Sequence, residues 1–453
     1  MNFPGPEEAR RVVFVSRNLS GESLRSARAI RTLDNVHLLG ICEQLPDHHG
    51  AQVFADLTRT DDVHDADQLI SAAKTLDGKH GPLDRIVTTT ETLLAPVAIA
   101  NEELGFPGLS ITTVCRTLDK SLLKQTLQRA GIDTARDRVV KSRADAEGFV
   151  REAGFPIVLK PMRGSGGLAT WCIRNTDELE MALDLTRLDG GETLLAEEYL
   201  QGDELCIDTI TIASEPRFYS ICCYQPSILE ALEDPTIQWR CLMPRDISGD
   251  SFRLFIEQGL AAVHALSVGN AMTHMEGFLL KEGEIRFTDA TLRPAGARIS
   301  AMLAFAYDID PHLAWARAII DGAVDGPWER KYAVGTIFLR GLGGGVIRDV
   351  DGIEVLKQEL PELLVDGRLP QVGATRSNTY TGDGYVTVRH AETSTVEKAL
   401  DFVAQMVQIK YSDAELPLNR NLKQQWSQSL HYFDKQLNKP AWDNDSLQVI
   451  GKP

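Results

Sequence analysis

The chain has 453 residues, 43% hydrophobic and 25% charged, which excludes a single small module and fits about three domains, each large enough for its own core. A formal charge of -17 disfavours nucleic acid and anionic membrane, both of which are met by basic surface. No apolar run reaches the length of a spanning helix and Met1 to Arg11 lacks an apolar signal core, so a cytoplasmic protein without a membrane partner is expected.

The first hundred residues alternate strand and helix. Val12 to Val15 is apolar and β-branched, Glu22 to Leu33 is helical in pattern, and Val36 to Ile41 is apolar again. Arg85 to Thr88 reads as a strand, Leu93 to Leu104 as a helix stopped by Gly105, and Leu109 to Ile111 as a further strand. This rhythm predicts a parallel sheet covered by helices over residues 1–115. The charged stretch Asp61 to Asp67 reads as a solvated helix start or loop. A second unit, 116–326, opens with Asp119 as the cap of a helix whose apolar stripe is Leu122, Leu123 and Leu127, closed by Gly131. Strands then dominate to about Thr291. A third unit, 327–411, is expected to contain strand Thr336 to Arg340, a turn at Gly341 to Gly345, strands Val346 to Ile347 and Tyr385 to Val388, and helix Thr395 to Val407. Residues 412–453 are polar, with Trp426, Leu430 and Phe433 at helical spacing. The seven cysteines are scattered, odd in number and without a C-x-x-C pair, so reduced, buried thiols are expected.

The segment His274 to Arg293 carries the most chemical information. Apolar runs Phe278 to Leu280 and Ile285 to Phe287 flank Glu282-Gly283 and predict a β-hairpin. A two-residue loop pairs Leu280 with Ile285, Phe278 with Phe287 and Glu276 with Asp289, and places Lys281 opposite Glu284 as a solvent-side ion pair. Two carboxylates with Cβ atoms about 5 Å apart repel by roughly 3 kcal/mol at an effective dielectric of 20. A bound cation removes that cost, and oxygen-only ligands on a sheet suit Mg²⁺, with Mn²⁺ as the close alternative. One carboxylate turned to solvent, or a one-residue bulge, is the structural alternative. Ahead of the hairpin, strand Pro156 to Leu159 ends in Lys160 and runs into Pro161-Met162-Arg163-Gly164-Ser165-Gly166-Gly167. Such glycines let backbone amides approach phosphate oxygens, and the lysine supplies a flexible point charge, although an ordinary glycine-rich turn has the same composition. A Walker loop is absent, and a dinucleotide fingerprint would need a helix where Thr170 to Ile173 reads as a strand. Trp239 and Tyr224 read either as pocket lining or as core, and His274 as pocket lining or a satisfied core histidine.

From Leu118 to Arg298 the order of these parts resembles the ATP-grasp superfamily. In this resemblance Lys120, in Leu118-Asp119-Lys120, and Lys160, in Val158-Leu159-Lys160-Pro161, match the two lysines placed on ATP phosphates. The glycine loop supplies Gly164, Ser165, Gly166 and Gly167. The stretch Leu194 to Glu204 resembles the hinge, in which backbone at Glu198, Tyr199 and Leu200 holds adenine and Glu197 or Glu204 holds ribose or the hinge. Glu276 and Asp289 match the metal carboxylates, which implies two Mg²⁺ (or Mn²⁺) ions. Arg293 matches the arginine that steadies the transferred phosphoryl group and acyl phosphate, and Gly296 is the second candidate catalytic residue; a surface ion-pair partner and an ordinary turn are the alternatives. The implied architecture is α/β (α+β overall): an N-terminal Rossmann-like parallel-sheet domain, a central two-lobed ATP-binding region and a C-terminal antiparallel cap. The thirteen-residue metal spacing and the string Asp289-Ala290-Thr291-Leu292-Arg293-Pro294-Ala295-Gly296 look most like the L-amino-acid ligases of the bacilysin synthetase type. Two departures stand out, since the second metal acid is usually Glu and Thr291 occupies a frequent Asn position.

The resemblance implies a carboxylate–amine ligase that activates an amino acid as an acyl phosphate and joins it to an amine; a homodimer is compatible with the sequence. A carboxylase-like or purine-pathway ligase, and a nucleotide-binding regulatory protein without turnover, are the competing expectations.

Overall fold

The computed structural model describes residues 9–413, apart from positions 20, 165, 166, 168, 187, 189, 190 and 282, together with 426, 427 and 430. The apolar N-terminal runs form a parallel sheet whose strands lie in the order Asp56–Arg59, Val36–Gln44, Arg10–Asn18, Arg85–Val87. Val12 to Val15 are all fully buried because helices cover both faces. Val12 and Phe14 pack with Ala27 and Ile30 of helix Gly21–Arg31, whereas Val13 and Val15 pack with Leu69, Ala73 and Leu76 of helix Ala66–His80, as a side-chain period of two requires. Asp65 caps that second helix, so the charged stretch before it is indeed a helix start.

The strand expected at Leu109 to Ile111 is absent. Ser110 instead accepts the Thr113 amide and starts helix Ile111–Leu118. A short apolar run is ambiguous between strand and helix, and here the capping serine decides. Asp119 then caps helix Lys120–Arg129 by accepting two amides. The buried face of this helix is Lys120, Leu123, Lys124 and Leu127, while Leu122, expected on the stripe, is exposed. An i, i+3, i+4, i+7 face that includes two lysines is the first sign that charge is handled inside this protein.

Two antiparallel sheets follow. The smaller runs Asp137–Val140, Leu194–Glu198, Ile157–Pro161, Trp171–Ile173, and its core also receives Trp426, stacked on Trp171 at 5.4 Å, and Leu430. Of the expected tail helix, Phe433 lies outside the described residues. The larger sheet has eight strands, from Ile285–Thr291 through Ala271–Leu280, Gly202–Ile212, Glu215–Gln225, Arg240–Met243, Ala333–Leu339 and Gly384–His390 to Leu364–Arg368. It therefore runs on across residues 326 and 327 through the pairing of Arg240–Met243 with Ala333–Leu339. Strand Gly344–Asp351, longer than expected, pairs separately with Gln408–Asp413. Among the described residues no helix is long and apolar enough to cross a membrane. All seven cysteines are free thiols, six of them buried and Cys223 partly so.

The hairpin holds its expected register at one end only. His274 pairs with Thr291 and Glu276 with Asp289, but Gly277 then pairs with Phe287, Phe278 with Arg286 and Leu279 with Ile285. Thr288 is the extra residue of a β-bulge, and the turn closes through Leu280–Glu284 and Gly283–Leu280 backbone bonds, with Gly283 at φ +82°. The loop thus has three residues rather than two, and Glu284 pairs with Arg286 at 2.6 Å instead of Lys281. Phe287 turns to the core against Phe255, opposite Gly277. A Cβ at Gly277 would lie 3.0 Å from Phe287 Cδ1 and 3.1 Å from the Arg286 carbonyl oxygen. Gly277→Ala is expected to destabilise the protein by about 1–3 kcal/mol through overpacking. Urea unfolding checks this, and an unchanged midpoint would mean that Phe287 yields at no cost.

Candidate nucleotide and metal site

A single cleft between the two antiparallel sheets and the N-terminal unit is lined by Lys120, Lys160, Gly164, Gly167, Glu197, Glu198, Tyr199, Leu200, Glu204, Glu276, Asp289, Arg293 and Gly296. Residues chosen from four distant stretches of sequence thus converge on one cavity. Ser165 and Gly166 lie outside the described residues.

Lys120, at the first turn of its helix, is buried, and its Nζ donates to Asp289 Oδ2 at 2.8 Å and to the Gly164 carbonyl at 2.9 Å. Burial opposes its charge, but Asp289 outweighs that and raises its pKa. Lys160 stands at the end of its strand, 2.8 Å from Glu197 Oε2, and burial lowers its pKa against the pull of Glu197. Lys124 completes the cluster from the helix, with Nζ 2.9 Å from Glu197 Oε1 as an ion pair and bonded to the Ala135 carbonyl at 3.0 Å. Burial alone would raise the Glu197 pKa, yet two lysines hold it down at about 2. Lys124 was missed by motif reasoning, although a lysine at position i+4 of a buried stripe is the signal that marks it.

Glu276 and Asp289 face each other across the sheet, as the pairing predicts. Burial raises the Asp289 pKa, Lys120 opposes and Glu276 adds to the rise. For Glu276 burial is outweighed by His274 and Tyr224, which lower its pKa. His274 Nε2 lies 3.3 Å and the Tyr224 hydroxyl 3.1 Å from Glu276 Oε1, while His274 Nδ1 lies 3.0 Å from Asp208 Oδ1. Burial disfavours a charged imidazole, but Asp208 prevails and the His274 pKa is raised well above its ordinary value. Asp208, fully buried and carrying no motif, went unseen in the sequence.

Mg²⁺ fits this donor set. The two paired carboxylates offer oxygens on a rigid sheet, and the buried Thr291 hydroxyl beside them has no hydrogen-bond partner among the described residues. The shorter Asp289 still reaches the cleft, with Oδ1 bound to its neighbouring Ala290 amide and Oδ2 on Lys120.

Arg293 presents Nε and Nη2 to Glu91 Oε2 at 3.1 and 2.7 Å and bonds the Pro294 carbonyl. Glu91, in the turn after strand Arg85–Val87, brings the N-terminal unit into the cleft and was not anticipated. Gly296 has an open Cβ position, with Arg293 Nη1 nearest at 3.9 Å. Gly167, at φ +65°, differs: a Cβ would strike Leu232 Cδ1 at 2.5 Å, so the loop needs glycine to lie against helix Ile228–Glu233. Tyr224 lines the cleft, whereas Trp239 is fully buried behind it, between Tyr224 and Tyr380. Tyr380, from the C-terminal third, joins the wall and was also missed. Glu204 accepts the Ile228 amide at 2.7 Å, and burial followed by the nearby Glu276 pushes its pKa up to about 8.

The chain is similar to several known proteins. Residues 119–204 match the family described as carbamoyl-phosphate synthase L chain, ATP binding domain. The chain is 26% identical over 239 residues to an L-arginine-specific L-amino acid ligase of Bacillus subtilis, covering 51% of this chain and 56% of that one. It is 24% identical over 231 residues to the alanine–anticapsin ligase of Bacillus subtilis, covering 47% and 49%. The matched region thus spans about half the length of these curated relatives. The L-amino acid ligase structure from Bacillus licheniformis superposes with TM-score 0.71 at 17% identity, covering 90% of this chain and 100% of that one. The N5-carboxyaminoimidazole ribonucleotide synthetase structure from Thermotoga maritima gives 0.64 at 19% identity, covering 89% and 100%.

Two stability predictions follow from the buried charges. Lys124→Met leaves Glu197 with one cation and is expected to cost about 3–5 kcal/mol, read by denaturant unfolding. For Glu204, the folded pKa of about 8 exceeds the unfolded value of 4.5, so the folded state holds the extra proton and wild-type stability falls as pH rises between them. The melting temperature of Glu204→Gln relative to wild type is expected to climb across that window. A constant difference would show that Glu204 ionises normally.

Proposed function

We propose, from the ATP-grasp fold that this chain carries, that it is an ATP-dependent carboxylate–amine ligase, joining an amino acid to an amine through an acyl phosphate with release of ADP and phosphate. The observation that carries the reading is the pair Glu276 and Asp289, directly opposed on the sheet and faced by Lys120, with Arg293 in the same cleft. The likeness to L-amino acid ligases supports the amino-acid class of substrate.

Phosphoryl transfer demands positioning and charge neutralisation more than covalent chemistry. Backbone at Glu198 to Leu200 takes the adenine, Glu204 the ribose, and the amides at Gly164 and Gly167 lie along the phosphates. Lys120 exchanges Asp289 and the Gly164 carbonyl for phosphate oxygens, and Lys160 keeps Glu197 as its orienting partner while turning its remaining N–H groups to the same phosphates. Glu276 and Asp289 would hold Mg²⁺, which would supply charge neutralisation at the phosphates. Arg293 balances charge on the transferred group and on the acyl phosphate. The amine then attacks the acyl carbon, the C–O bond to phosphate breaks, and the proton leaves with solvent or substrate. No protein nucleophile is needed.

ADP and phosphate release, assayed over amino-acid pools with mass spectrometry of products, is expected to require both a carboxylate and an amine. Arg293→Ala is expected to lower turnover about 10²-fold or more, and Glu276→Ala to abolish it, both variants remaining folded. Tight ATP binding without turnover on any pair would favour a regulatory protein. Turnover with bicarbonate alone would favour the carboxylase-like reading.

A further inference from the structure

Resting on that reading of the cleft, we propose that His274, held by Asp208, is a positioning residue that fixes Glu276 from beside it and leaves its second carboxylate oxygen for the cation. Asp208 and His274 are direct partners across strands Gly202–Ile212 and Ala271–Leu280, and Glu276 follows two residues on, on the same face. The imidazole therefore lies between two carboxylates, 3.0 Å from one and 3.3 Å from the other. The Tyr224 hydroxyl reaches the same Glu276 oxygen, Oε1, at 3.1 Å. Two side chains thus converge on Oε1, the Tyr224 hydroxyl lying also 3.3 Å from His274 Nε2, while Oε2 has no hydrogen-bond partner among the described residues.

A buried carboxylate is costly unless it is paired, and Asp208 is fully buried with the His274 ring as its partner at 3.0 Å. Folding alone would be served as well by an apolar pair at these positions. A ligand carboxylate, by contrast, must present one oxygen in a fixed direction, and outer partners that do this commonly account for about 10–100-fold in ion affinity. Cys206 brings a third candidate ligand atom within 4.8 Å of Asp208 and His274. Both ring nitrogens are already committed to carboxylates, however, so the cluster acts as a hydrogen-bonded relay and not as a separate ion site.

The test measures Mn²⁺ binding to the ADP-loaded full-length protein by electron paramagnetic resonance of the free ion, beside ADP binding in the absence of metal. His274→Leu is expected to weaken Mn²⁺ about tenfold or more while ADP alone binds as before. His274→Gln, whose amide still donates to Glu276, is expected to recover most of the loss. Because His274→Leu strands the Asp208 charge, the double variant D208N/H274L is read alongside. It removes the stranded carboxylate together with the imidazole, is expected to melt close to wild type, and should still show the weakened ion. Wild-type Mn²⁺ affinity in the folded double variant overturns the positioning role. Failure of the wild type itself to bind Mn²⁺ with ADP would instead remove the nucleotide reading on which the role rests.

Discussion

Two acids placed face to face in a low-dielectric cleft set the terms for everything around them. At about 5 Å the repulsion of a Glu276–Asp289 pair is roughly 3 kcal/mol, a sizeable part of the stability of an ordinary domain. The protein meets it from two sides. Lys120 sits on Asp289, and His274 with Tyr224 sits on Glu276. The acids keep different partners, and this splits their behaviour: Asp289 is raised and Glu276 lowered from the ordinary carboxylate range.

The same principle organises the smaller sheet. Glu197 holds Lys160 of strand Ile157–Pro161 and Lys124 of helix Lys120–Arg129, so one buried carboxylate joins a strand to a helix outside its sheet. Such a cluster contributes modest net stability but strict geometry, since losing any member leaves an uncompensated buried charge. The cleft is consequently rich in cations that are all engaged: Lys120 on Asp289, Lys160 on Glu197, Arg293 on Glu91. A polyphosphate entering it competes with carboxylates already in place. Lys120, shared between a carboxylate and a carbonyl, has the most to exchange.

Much of this was legible in the sequence because period and punctuation are local. The Val12 to Val15 run, the Asp119 cap, the strand ending in Lys160 and the facing of Glu276 and Asp289 each follow from a few adjacent residues. What escaped was set by distant parts of the chain. Glu91 and Tyr380 lie far from the motifs and reach the cleft only through packing of the N-terminal and C-terminal units. Asp208 reads as an unremarkable polar residue until strand pairing puts it opposite His274. Leu109 to Ile111 failed for the opposite reason: a local signal, Ser110, was outweighed by a short apolar run.

The hairpin shows how a partly wrong register can still set the two acids opposite each other. A regular two-residue hairpin would keep Phe287 on the face of Asp289, where it would enter the cleft and leave the core against Phe255 unfilled. The extra residue Thr288 reverses the alternation once. Phe287 and Ile285 then face the core, while Asp289 and Thr291 face the cleft with Glu276 and His274. Gly277 makes the room that Phe287 requires, and Phe278 is moved to the cleft wall. The bulge thus lies between the half of the hairpin that packs into the core and the half that faces the cleft, which is why the turn could be misread by one residue without displacing the acids.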